Sequence, residues 1–206
     1  MKTFAITGRC IATPPPADWR ERLAQMLGAK PRRIGIWAEL GLYGALHCMA
    51  DAGEGALPQD AQIWLGSCRG THAATAVVLD QLRDDLPMPL AFLQTQPSQL
   101  LALLAARLSW NGSACFVAGA DPQAMLRLAS AQAWSDGLLL GWVEEMDGGS
   151  TNWLRLRPAT VEGGDFVDAP KGELFASGLT HMRLEATGLQ VRRAGQSNLG
   201  EQRAGW

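Results

Sequence analysis

Apolar residues in this chain switch between a period of two and a helical period, and the switches mark its elements. Residues 3–7 (T-F-A-I-T) form a short β-rich run that Gly8 is expected to end. Prolines 14–16 break the chain. Residues 17–27 then read as a helix with Trp19, Leu23, Met26 and Leu27 on one face and Gly28 as its stop. Residues 36–52 read as a second, amphipathic helix, with Trp37, Leu40, Ala45, Cys48 and Met49 near helical spacing and Gly53 closing it. Gly41 and Gly44 lower its intrinsic propensity, which implies close packing against a neighbour.

An alternation of strands and helices follows. Residues 61–65 (A-Q-I-W-L) are a strand, 66–70 (G-S-C-R-G) a tight turn, and 71–82 a helix. Residues 87–89 (P-M-P) read as a break. The helix predicted over 99–108 is apolar enough to expect burial on most sides. A strand over 113–118, a helix over 122–134 and a strand over 137–143 come next, the last apolar enough for the middle of a sheet. The sequence D-G-G at 147–149 turns the chain into an alternating strand over 152–157. From Pro158 the texture is Gly-, Asp- and Pro-rich, with a possible strand pair at 181–184 and 189–193 around Gly188. Helices between buried strands predict an α/β fold, a layered mixed sheet. The expected division is a domain over 1–160, an irregular extension over 161–193 and a loose tail over 194–206.

Composition narrows this picture. Of 206 residues, 47% are hydrophobic and 18% charged, enough for a large core and against global disorder. A net charge of -2 argues against a general affinity for nucleic acid. The apolar run at 100–106 stops at Arg107, too short to span a bilayer, and Arg9 with the prolines interrupts any signal-peptide core. A cytoplasmic location is expected. Cys10, Cys48, Cys68 and Cys115 show neither a CxxC pair nor a histidine at ligand spacing, so no metal, disulfide framework or cofactor is expected.

Several positions have the chemistry for a site. G-S-C-R-G at 66–70 has the form of a nucleophile elbow around Cys68, and Asp168 and His181 follow in the order of a hydrolase triad. A tight turn explains the same residues. Asp121-Pro122 opens a helix after a strand, where a side chain caps the helix or presents a group to its dipole. Phe92, Gln94 and Thr95 lead toward Pro97 and the apolar helix, with Phe92 and Gln94 lacking a local explanation. Histidines 47, 72 and 181 stand without a carboxylate or thiol at a telling spacing, and the acidic residues Glu144, Glu145 and Asp147 fit a solvated turn.

Taken together, the motifs resemble the N-terminal half of a β-ketoacyl synthase. F-A-I-T-G at 4–8, followed by Thr13-Pro14 and Trp19, is similar to that family's first strand. Arg32-Arg33 leading to A-D-A-G at 50–53 resembles its S-R-F…D-A-G segment. L-G-S-C-R-G at 65–70 falls where the family has a strand followed by G-T-x-x-G. P-L-A-F from 89 to Leu108 is similar to its proline-bearing loop and buried helix. Residues 137–145 resemble its G-G-x-E strand, with 152–157 as hairpin partner. The resemblance covers about residues 3–160 and implies a thiolase-like half-fold.

In that family a nucleophilic cysteine opens the helix after the strand. Counting along F-V-A-G-A at 116–120 puts Asp121 at that place, while Cys115 lies six residues earlier. A thiolate carries an acyl chain as a thioester; an aspartate would form a mixed anhydride unsuited to condensation. The family's catalytic histidines and lysine have no counterpart motif after residue 160, and no catalytic residue is expected. The resemblance implies a short chain-length factor of the type found in aryl polyene biosynthesis. Such a protein assists a full-length ketosynthase as a heterodimer, with an acyl carrier protein as a possible further partner, in polyketide or fatty-acid-like synthesis. By that analogy Cys115, Phe116 and Val117 lie on the dimer-interface strand, and Phe92, Gln94 and Thr95 face the acyl pocket. The rival expectations are a Cys-dependent hydrolase or acyltransferase using Cys68, and a homodimeric half-fold scaffold that binds no acyl chain.

Overall fold

The computed structural model describes residues 1–86, 88–119, 121–132, 135–161, 165–170 and 172–195. Ala120, Trp134 and most of the expected tail (196–206) lie outside them. The elements are β1 (Lys2–Ala12), α1 (Trp19–Leu27), α2 (Ile36–Asp51), β2 (Gln62–Ser67), α3 (His72–Arg83), α4 (Pro89–Gln94), α5 (Ser98–Arg107), β3 (Ala114–Ala118), α6 (Pro122–Ala131), β4 (Leu138–Glu144), β5 (Ser150–Pro158), β6 (Val167–Asp168), β7 (Leu179–Leu184) and β8 (Leu189–Arg193), with a 3-10 turn at Glu173–Phe175. The strands form one mixed sheet in the order β3-β2-β4-β5-β1-β7-β8-β6. β2 pairs parallel with β3 and β4, and the other pairings are antiparallel.

Each face of the sheet carries its own core. On one face α1, α2 and α5 pack over Ile63, Leu65, Leu139, Val143 and Trp153. On the other, Met125, Leu126 and Ala129 of α6 meet Phe4, Leu140, Leu156, Met182 and Val191. β4 sends Leu139 and Val143 to the first core and Leu138, Leu140 and Trp142 to the second, so both its faces are dry, as its unbroken apolar run predicts.

α2 is buried almost all round, from Trp37 to Ala45 with only Glu39 half-buried, and is a central helix rather than an amphipathic one. Its glycines are there for approach. A Cβ on Gly44 would lie 2.1 Å from Thr151 Oγ1 and 2.5 Å from the Trp153 ring. Trp153, fully buried, donates its indole N–H to Thr151 Oγ1 at 3.0 Å, so nothing there can yield cheaply.

Three expectations change. β1 does not stop at Gly8: a bulge between Ile6 and Gly8 absorbs the irregularity and pairing with β5 continues to Ala12. Gly8 is there because a Cβ would meet the Cys48 carbonyl oxygen of α2 at 2.4 Å. The stretch after Met88 is not a loop but the short helix α4, which Pro89 opens at its first position. α5 is not buried on most sides; only Leu100 and Leu104 are, on the side that meets α2. The strand pair around Gly188 forms, and β7 joins it to β1 in the same sheet.

Candidate functional site

The β2–α3 turn is held by two glutamates at the end of β4. Ser67 is fully buried; its Oγ donates to Glu144 Oε2 at 3.0 Å and accepts from the Gly70 N–H at 2.6 Å. The Cys68 and Arg69 amides also donate to the Glu144 carboxylate. Glu145 accepts the Ala73 N–H in the first turn of α3 at 2.8 Å. The backbone donors that would make an oxyanion hole are therefore occupied by the protein's own carboxylate.

This arrangement removes the elbow reading of Cys68. It is exposed, and among the described residues no base is bonded to its thiol. His181 on β7 lies four strand spacings from β2, roughly 19 Å, and its Nδ1 faces Thr180 Oγ1. Asp168 accepts a hydrogen bond from Gln190 at the far edge of the sheet. The three residues that sequence order lined up as a triad are not brought together. Among the described residues, no group of His, Cys, Asp and Glu could hold a metal ion.

The remaining thiols are restrained by their surroundings. Burial and the Asp51 charge push Cys10 up to about 11. Burial raises Cys48 further, and raises Cys115. Iodoacetamide at neutral pH is expected to modify the exposed Cys68 first and Cys48 only after unfolding. Peptide mapping over time reads this order; a burst at Cys68 would revive a thiol enzyme.

Asp121 caps α6. Its Oδ1 accepts from the Gln123 and Ala124 amides at 2.9 and 3.0 Å, and Pro122 occupies the first helical position. Asp121→Ala is expected to lower stability by about 1 kcal/mol, measured by urea unfolding, without affecting any association of the folded chain.

The edge beside this turn is open. Among the described residues β3 has only β2 as a neighbour, leaving its outer row of backbone groups without a strand partner there. Its side chains turn inward instead: Phe116 meets Trp37 edge to face at 5.8 Å, and Cys115 and Val117 rim the second core. α3 and α4 pack on each other, and neither buries a single residue. Thr71 at the start of α3 ties them together by donating to the Thr95 carbonyl oxygen at 2.7 Å.

An apolar ledge results. Leu82, Leu86, Met88, Phe92 and Leu93 are each at least half exposed. Val78, Leu82, Met88, Pro89 and Phe92 line an apolar groove of about 300 Å³ between the helices. The residues read as pocket-facing separate here. Phe92 faces the groove, whereas Gln94 packs near Gly35 and Thr95 closes α4 by donating to the Phe92 carbonyl oxygen. Sequence reasoning missed the ledge because apolar spacing marks a helix without showing which surface, if any, covers its apolar side. The signal was the pair of Leu82 and Leu86 running into Met88 and Leu90, more apolar surface than a single helix face buries.

No family model matches this sequence, and no curated protein is similar to it. Solved structures are. A ketosynthase (ApeO) in complex with its chain length factor (ApeC) from Xenorhabdus doucetiae matches with a TM-score of 0.57 at 14% identity, over 93% of this chain and 98% of that one. The ishigamide ketosynthase/chain length factor matches with a TM-score of 0.55 at 13% identity, over 76% of this chain. A type II polyketide synthase acyl-carrier protein in complex with its ketosynthase (AntDE:AntF) matches with a TM-score of 0.53 at 12% identity, also over 76%. This chain spans 58% and 63% of the matched chains in the last two. With its mixed sheet and interspersed helices, the chain has the thiolase-like half-fold seen in ketosynthase and chain-length-factor structures.

Proposed function

We propose that this protein is a non-catalytic partner of an active ketosynthase, of chain-length-factor type, serving aryl polyene, polyketide or fatty-acid-like synthesis. The observation that carries the reading is the pairing of an open strand edge, β3, with the uncovered apolar ledge of α3 and α4. Soluble chains rarely leave so many large apolar side chains together unless another surface covers them. In this reading the ketosynthase takes the β3 edge, at Cys115, Phe116 and Val117, and covers the ledge. The acyl chain then runs along the groove at Phe92, near Gln94 and Thr95, and an acyl carrier protein delivers it.

The chemistry of the chain agrees. In this reading Asp121 takes the place of a ketosynthase's nucleophile, and its carboxylate is spent on two helix amides. The nearest exposed thiol, Cys68, sits at a turn whose donors Glu144 has taken. Residues 1–160 would form the ketosynthase-like domain, 161–193 an extension of its sheet, and 194–206 a tail.

The test is a condensation assay with acyl-carrier thioesters. The isolated chain is expected to give no product, and a ketosynthase to give more or differently sized product in its presence. Turnover by the chain alone would refute the non-catalytic reading.

A further inference from the structure

α2 packs across β4, β5 and β1, and the strands beyond it, β7 and β8, present basic side chains on that same face. Register places them. Thr3 of β1 faces Arg183 of β7, which faces Gln190 of β8; Ala5 faces His181, which faces Arg192. Met182 and Val191 point to the opposite face and the second core, so Arg183, His181 and Arg192 share one surface. Arg183 and Arg192 are diagonal neighbours across β7 and β8, roughly 7 Å apart at their backbones. Small Thr3 and Ala5 make a low floor beside them.

Three acids nearby are already engaged. Glu54 binds Arg155 and Arg157, Asp168 accepts from Gln190, and Glu173 pairs with Arg193. Among the described residues, Arg183 and Arg192 have no carboxylate at ion-pair distance. Arg183 is nonetheless held in place: its guanidinium carbon lies 3.8 Å from the centre of the Phe166 ring. Its Nε is buried and has no acceptor. A buried donor left unmet is costly, and this one is fixed beside a second unpaired guanidinium.

We propose that this face is a phosphate-binding site, in which Arg183 and Arg192, flanked by His181, hold the phosphate group of a small ligand. The chain shows the geometry elsewhere on this face, where the single Glu54 carboxylate serves both Arg155 and Arg157. A phosphate suits the Arg183 and Arg192 pair better than a carboxylate. Its three or four acceptor oxygens satisfy two guanidinium forks and leave one for the imidazole. Burial, and after it the Arg192 charge, lowers the proton affinity of His181, which favours a neutral imidazole that adds a hydrogen bond.

Titration calorimetry and amide chemical shifts test this on the full chain at fixed ionic strength, with inorganic phosphate, monobutyl phosphate and polyglutamate as probes. Saturable one-to-one binding of either phosphate is expected, with shifts at β7 and β8. Arg183→Gln and Arg192→Gln should each weaken it at least tenfold, Arg183→Lys should weaken it less than Arg183→Gln, and Arg69→Gln should leave it unchanged. Tighter binding of the ester points to an esterified ligand; tighter binding of inorganic phosphate points to the free anion. No saturable phosphate binding, binding unaltered in both glutamine variants, or binding of polyglutamate alone would overturn the site. Arg192 is half-buried and makes no ion pair among the described residues, so Arg192→Gln keeps the test valid if Arg183→Gln unfolds the chain.

Discussion

A chain carrying Phe92→Glu is expected to bind its ketosynthase at least about 100-fold more weakly, while its melting temperature stays within about 2 °C of the parent. The argument is a difference between two states. In the chain alone Phe92 is 57% exposed, so a carboxylate there remains in water. In the proposed complex the ketosynthase covers the same position. Losing a buried phenyl group forfeits about 1.5–3 kcal/mol, and burying an unpaired charge costs several kcal/mol more. Leu82→Glu, in the same groove and 53% exposed, should act alike. Met26→Glu on α1, away from the ledge, should leave affinity unaltered. Equal affinity for all three would mean that the ledge is not the contact surface.

The second large effect concerns stability. Glu54→Ala is expected to destabilise the chain by about 3–5 kcal/mol, or roughly 10 °C. Arg155 is fully buried in β5 between its partners: Glu54 at 3.1 Å, the Leu156 carbonyl oxygen at 3.1 Å and the Asp136 carbonyl oxygen at 2.9 Å. Burial pulls its proton affinity down, and Glu54 pushes it back up. Removing the carboxylate leaves a guanidinium in the core with neutral acceptors only. The double variant Glu54→Ala with Arg155→Met should recover part of the loss, because it removes the stranded charge as well. Urea unfolding of both variants decides this; a double variant less stable than Glu54→Ala would contradict the account.

The parts of the fold legible in the sequence are those whose reasons are local. Asp121-Pro122 announces the start of α6, Gly28 ends α1 in the left-handed conformation, and the apolar run of β4 announces a strand dry on both faces. What was not legible depends on partners distant in sequence. Gly8 reads as a terminator until the α2 carbonyl that needs its missing Cβ is in place. Glu144 and Glu145 read as a solvated turn because nothing local shows that the β2–α3 amides, some 75 residues earlier, converge on them. The ledge was hidden for the opposite reason: its apolar residues have no partner within the described chain to explain them.

One measurement tests the central claim most directly: the mass, by light scattering after size exclusion, of this protein mixed with each ketosynthase of its source cell. The account predicts that one mixture gives a one-to-one heterodimer, and that Phe92→Glu abolishes it. A chain that stays alone with every ketosynthase, or forms only a dimer with itself through β3, would contradict it.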